Sequence, residues 1–232
     1  MTNPLHPPDL ELALEADSGL TYRLRSAEGA AGRAPCLILL HGVGANELGF
    51  IELARQMDPR LNVVLVRGPL ELGPMQFGWF QVQFTPAGPA INPVQADASR
   101  LKLLTLIARL PQLHDIDPAR VWIAGFSQGG IMSASVGLTA PAQVAGFGIF
   151  SGRILPEVLP LVQPGPALQK VRAFVSHGVQ DEKLGIHFGR NASQVLASFQ
   201  VPLDYREYQA GHTLNAAMVA DFQQWLAPQI CV

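Results

Sequence analysis

At the end of an apolar run, "VWIAGFSQGG" (Val121 to Gly130), the chain holds a serine between glycines. "GFSQG", Gly125 to Gly129, matches G-x-S-x-G. In a glycine-rich chain the same letters can mark an ordinary turn. Here they follow a strongly apolar strand pattern and precede a helical one, which is the setting of a nucleophile elbow. Gly125 and Gly129 would remove side chains that collide as the backbone turns. Ser127 would take a strained conformation and project its hydroxyl above the sheet. The N-terminus of the next helix would aim its N–H groups at the same space.

A serine hydroxyl is a poor nucleophile at neutral pH and needs a base, which in turn needs an orienting acid. Behind such an elbow the acid comes first in the chain and the histidine second. Three aspartates follow Ser127: Asp181, Asp204 and Asp221. Asp204 falls within the strand pattern "LDYREY", and Asp221 falls inside the last helical pattern. Asp181, in "SHGVQDEKL", lies just past a strand end and fits best. Of the later histidines, His177 is too near Asp181 in sequence, and His187 sits in a helical pattern. His212, in "QAGHTL", lies between the last strand and the last helix, where Gly211 frees the loop. The set is therefore Ser127, Asp181 and His212. Acyl transfer also needs N–H donors for the charge on the carbonyl oxygen. Gln128, directly after the serine, should supply one. Val43, between Gly42 and Gly44 in "LLHGVGANE", should supply the other. His41 in that loop is read as ordering it rather than moving protons.

These groups need a rigid frame, and the chain is built to give one. It has 232 residues, 48% hydrophobic and 15% charged, which suits one α/β domain over 1–232 with a large core. A net charge of -2, with Lys and Arg scattered, offers nothing to nucleic acid or an anionic membrane. "LELALEA" and "LTYRLRS" around "DSG" read as a hairpin. "CLILL", "NVVLV", "VWIAGF" and "FGIF" are apolar throughout, like strands covered on both faces. "AFVSHG" and "LDYREY" follow. Helical patterns lie between them. Asn46 caps one that carries Phe50, Leu53, Ala54 and Met57. Asn92–Pro93 starts another, with Val94, Ala98, Leu101, Leu104 and Ala108 in phase until Pro111. The third buries Ile131, Ala134 and Leu138. Two more carry Phe188, Ala192, Val195 and Phe199, then Leu214, Met218, Phe222 and Trp225. This alternation implies a mostly parallel sheet flanked by helices. Residues 68–91 and 152–170 read as long irregular loops.

Cys36 reads as a small buried hydrophobe and Cys231 as a free thiol near the C-terminus. With no disulfide framework and no secretory signal, the expected compartment is the cytoplasm. No apolar run reaches the roughly 20 residues of a membrane span, so stable membrane insertion is not expected. No His or Cys cluster has ligand spacing, so neither a metal nor an organic cofactor is implied. Dimerisation is left open.

With these pieces assembled, the chain resembles the carboxylesterase and acyl-protein thioesterase (phospholipase/carboxylesterase) family of α/β-hydrolases from Pro35 to Leu226. The resemblance rests on "LILLHGVGANE", "FGWF", "DPARVWIAGFSQGG", "SHGVQDE" and "AGHTL", in that order. It implies an α/β-hydrolase fold without a large cap domain. It also implies a triad on Ser127, Asp181 and His212, with oxyanion donors on Val43 and Gln128. Val43, Ala45–Asn46, Gln81 and Thr213 depart from the thioesterase pattern and point to a bacterial-type esterase branch. The expected substrate is a small-molecule carboxylic ester of small to medium acyl length. Lysophospholipase or acyl-protein thioesterase activity is the alternative, and a non-catalytic binding protein on this fold is the rival. Trp79, Phe80 and Phe84 are read either as an acyl-binding wall or as packing. Leu155, with Leu159 and Leu161, would form the opposite wall.

Overall fold

The computed structural model describes residues 10–29, 32–85 and 88–230; Cys231 and the side chain of Phe84 lie outside the described residues. Among these residues, eight strands form one sheet in the order β1-β2-β4-β3-β9-β10-β11-β12. They are β1 (Ala13–Glu15), β2 (Leu20–Arg25), β3 (Ala34–Leu40), β4 (Asn62–Val66), β9 (Ile116–Phe126), β10 (Gly146–Phe150), β11 (Arg172–Gly178) and β12 (Leu203–Tyr208). The β1–β2 hairpin and the β2–β4 pair are antiparallel. All later pairs are parallel.

The uniformly apolar strands are buried because both faces are covered. In β3 and β4, Leu37, Leu39, Val63 and Leu65 pack into one core with Phe222 and Leu226. Their neighbours Ile38, Leu40, Val64 and Val66 pack into the other with Leu103, Ile131 and Leu196. The period-2 pleat of a strand sends alternate residues to opposite faces. Cys36 lies in the second core, fully buried and free, and burial pushes its thiol well above the ordinary range.

Among the described residues, six α-helices flank the strands: α1 (Ile51–Gln56), α2 (Pro93–Leu113), α3 (Gln128–Thr139), α4 (Pro166–Lys170), α5 (His187–Ser198) and α6 (Ala216–Ile230), the last following β12. Asn46 and Asn92 cap as expected: their side-chain oxygens accept from the N–H groups of Leu48 and Gln95. In α2 the buried stripe is Ala96, Ser99, Leu103, Leu106, Ile107 and Leu110, not the stripe begun by Val94. Val94 and Leu101 are exposed. The helix carries apolar residues on two faces, and periodicity alone does not tell which one meets the sheet. Nor does α2 stop at Pro111, since His114 N–H still closes the last turn on Leu110 O.

The two irregular stretches are structured. Residues 68–91 fold into two small hairpins, β5 (Leu70–Gly73) with β6 (Gln76–Gly78), and β7 (Val82–Thr85) with β8 (Gly88–Ile91). Residues 152–170 contain a 3-10 helix, Pro156–Leu161, and then α4. Among the described residues, no helix is long and apolar enough to cross a membrane.

Candidate active site

Ser127 sits at the turn from β9 into α3 with φ 55° and ψ -115°, a region that non-glycine residues rarely occupy. Its N–H is held by Phe150 O at the end of β10. Two glycines make the turn feasible. A Cβ on Gly125 would lie 2.4 Å from the Gly129 carbonyl carbon, and one on Gly129 would lie 2.0 Å from Leu40 O. No side chain fits at either place.

Asp181 follows the end of β11, and His212 follows the end of β12. His212 Nδ1 lies 2.7 Å from Asp181 Oδ2, and His212 Nε2 lies 2.9 Å from Ser127 Oγ. The carboxylate can only accept, so Nδ1–H donates to it and Nε2 is left to accept from the serine hydroxyl. The other Asp181 oxygen accepts from the N–H groups of Lys183 and Leu184. His177 is fully buried behind this loop and donates from Nε2 to Leu184 O. Burial holds its imidazole below the ordinary histidine value. The other two aspartates lie elsewhere: Asp204 and Asp221 share Arg206, and Asp221 also accepts from Tyr208. His187 is exposed at the start of α5.

The loop after β3 approaches from the other side. A Cβ on Gly42 would lie 3.4 Å from Ser127 Cβ. His41 is buried, and its Nε2 accepts from Gly68 N–H at 2.9 Å. Its proton is therefore on Nδ1, which donates to Gly42 O at 2.7 Å. Burial lowers its pKa, so it stays neutral and ties the loop. Glu47, also fully buried, bonds Arg67 and Arg23. Val43 and Gln128 both line the cavity at Ser127.

That cavity has a volume of about 560 Å³, within the usual range for small-molecule sites. Its wall includes Phe80, Val82, Pro89, Ile91 and Ile131. Of the residues expected to bind substrate, Phe80 lines it, whereas Trp79 and Leu155 do not. Trp79 is fully buried beneath the wall; its indole N–H donates to His41 O and its backbone N–H donates to Gln128 Oε1. Leu155 is buried in the core beside the 3-10 helix. Both are buried away from the cavity lining. The Gln128 side chain also donates to Phe80 O, so this residue clamps the aromatic pair as well as following Ser127. Sequence reasoning missed Val82, Pro89 and Ile91 because their hairpin was read as loop. It also missed Arg153, whose signal was one charge in the apolar stretch "SGRILP".

Residues 26–230 match the family model described as Phospholipase/Carboxylesterase. Acyl-protein thioesterase 1 of Gibberella zeae is 23% identical over 87% of this chain and 93% of its own length. That of Mycosarcoma maydis is 25% identical over 69% and 74%. Among solved structures, a carboxylesterase from Mesorhizobium loti superposes with a TM-score of 0.77 at 25% identity, covering 93% of this chain and 98% of that one. Esterase PE8, at 20% identity and a TM-score of 0.78, shares the fold over 91% of this chain and 99% of its own. The sheet order, the covered parallel strands and these matches together place the chain in the phospholipase/carboxylesterase family of α/β-hydrolases, enzymes that cleave carboxylic esters.

Proposed function

We propose that this protein is a serine hydrolase that cleaves small to medium carboxylic esters through an acyl-enzyme. The observation that carries the reading is His212, which bridges Ser127 and Asp181 at hydrogen-bonding distance on both sides. As Ser127 Oγ bonds the substrate carbonyl carbon, its proton passes to His212 Nε2. Asp181 holds the imidazole in the required tautomer and stabilises the imidazolium. Val43 and Gln128 line the cavity beside Ser127 and are the proposed N–H donors to the oxygen that gains charge. His212 then gives its proton to the leaving oxygen as the C–O bond breaks. A water repeats the sequence: it attacks the acyl carbon, loses its proton to His212, and Ser127 leaves with that proton.

Thioesters are a second reading, favoured by the relatives that are acyl-protein thioesterases. The departures at Val43, Asn46, Gln81 and Thr213 count for the ester. The cytoplasm is the proposed compartment, where a free thiol such as Cys36 is kept reduced.

A fluorophosphonate probe should label the native protein and fail to label Ser127→Ala. Ester turnover in that variant should fall on the order of a million-fold. The folded variant should be as stable as the parent or more so, since alanine carries no catalytic demand at a strained position. Near-normal turnover in folded Ser127→Ala would sink the reading.

A further inference from the structure

Arg153 leaves the end of β10 one residue after Gly152, which packs on the nucleophile itself: a Cβ there would lie 3.1 Å from Ser127 O. Its side chain lines the same cavity as Ser127 and His212. It is half-buried between the β7–β8 hairpin and α5. One terminal nitrogen donates to Pro89 O at 3.2 Å. The guanidinium carbon lies 5.2 Å from the Phe188 ring centroid. Its Nε is buried and has no hydrogen-bond partner among the described residues.

What Arg153 lacks among the described residues is a counter-ion. Arg23 and Arg67 share Glu47, and Arg206 holds both Asp204 and Asp221. No described carboxylate lies within ion-pair distance of Arg153; Glu157 is exposed and acts at longer range. Among the described residues, the other full charges on the lining are Lys183 and Glu182, both exposed. Burial lowers the pKa of Arg153, yet a guanidinium keeps its proton at any physiological pH. An unpaired cation taken out of water is costly, and a chain that only needed an apolar wall would gain from Leu or Met here. The planar fork of N–H donors matches a carboxylate in two-point geometry. The apolar neighbours Pro89, Ile91 and Ile131 reduce screening, so such a pair is stronger than it would be in water.

We propose that Arg153 binds a free carboxylate on the substrate, so that the preferred esters carry their own negative charge. This rests on the ester-hydrolase reading and specifies its substrate class. The carboxylate could belong to the acyl half, as in a monoester of a dicarboxylic acid, or to the alcohol half, as in an acylated hydroxy acid.

The test compares matched pairs in two arms. The acyl arm sets 4-nitrophenyl hydrogen glutarate against 4-nitrophenyl 5-methylhexanoate, in which an isopropyl group replaces the carboxylate. The alcohol arm sets 3-carboxyphenyl butyrate against 3-isopropylphenyl butyrate. The native enzyme should favour the charged member of one pair by about tenfold or more in kcat/KM, the range of a hydrogen-bonded ion pair. The arm that responds identifies the half that carries the charge. Arg153→Met should reduce that selectivity ratio about tenfold, and Arg153→Lys should retain part of it. The ratio is the deciding readout, because a merely structural role for Arg153 lowers both members of a pair equally. An equal loss overturns the proposal, as does a native enzyme with no preference in either arm. Calorimetric titration of Ser127→Ala with the same four esters reads binding without turnover. The charged ester should bind about tenfold more tightly than its isostere, and adding Arg153→Met should abolish the difference. If the native protein hydrolyses none of the four, the ester-hydrolase reading fails, and the titration still decides the role of Arg153.

Discussion

Ser127, Asp181 and His212 come from three strand ends of one parallel sheet. The wall that faces them comes from Phe80, backed by the buried Trp79, and from the β7–β8 hairpin, which pairs with no described strand of that sheet. The proposed catalytic groups are placed by backbone: a strained serine, two glycines with no room for a Cβ, and loops starting where strands stop. The wall is placed by side chains. Gln128 clamps Trp79 and Phe80, Ser99 Oγ donates to Trp79 O, and the Trp79 indole is pinned to His41 O. A site whose chemistry is fixed by the sheet and whose wall hangs on side-chain bonds can change substrate without changing reaction.

The largest way to break the catalytic half, short of removing the nucleophile, is to spoil the acid. Asp181→Asn puts an amide against His212 Nδ1 and favours the wrong tautomer. Turnover should fall on the order of ten-thousand-fold with the fold intact. Asp204→Asn and Asp221→Asn should change it little, because their carboxylates serve the Arg206 and Tyr208 surface network. Steady-state kinetics on the three variants checks this. A large loss in Asp221→Asn with Asp181→Asn near normal would reverse the assignment.

On the wall side, Trp79→Ala should act through packing. Trp79 is fully buried and makes two hydrogen bonds to the loops around Ser127. Truncating a buried tryptophan costs about 3–5 kcal/mol, which for a chain of this size lowers Tm on the order of 10 °C. Activity should drop by a similar factor for short and long acyl chains. If instead the variant keeps its Tm and loses only long-chain activity, Trp79 touches the acyl group after all.

The same division explains what could be read in advance. The meeting of Ser127, Asp181 and His212 was legible because each sits at a boundary between an apolar strand run and a turn. Those boundaries are local patterns. The cap residues Asn46 and Asn92 were legible for the same reason. The buried face of α2 was not, since Val94 and Leu103 belong to two stripes of equal period and only the sheet chooses between them. The β5–β6 and β7–β8 hairpins were hidden by their Gly and Pro content, which signals turns and says little about short strands. Whether Trp79 or Phe80 faces the ligand depends on Gln128, nearly fifty residues away. Arg153 gives no motif at all; that no described carboxylate pairs with it is something only three-dimensional placement reveals.

The smallest expected effect tests the tie between the two regions. Glu47 ends the loop that carries Val43, and its fully buried carboxylate binds Arg23 of β2 and Arg67, just past β4. Arg67 also lies 4.7 Å over the Phe77 ring in β6, so one carboxylate joins the catalytic loop to the first hairpin. Burial works to raise the Glu47 pKa, and the bonds with Arg67 and Arg23 outweigh it, leaving the group below its ordinary value of 4.5. A carboxyl with a depressed folded pKa adds stability that is fully present above the unfolded value. That stability is lost as pH falls through the folded value. Glu47→Gln removes the charge and leaves two arginines poorly matched, at a cost of about 2 kcal/mol near neutral pH. The stability gap between native protein and variant should therefore be flat from neutral pH down to about pH 5.5, then narrow below 4.5 as the native carboxyl takes up its proton. Urea unfolding of both proteins across that range measures the gap. A gap that widens toward acid would mean that Glu47 is protonated more readily in the fold than outside it, and that burial rather than its two arginines governs the tie.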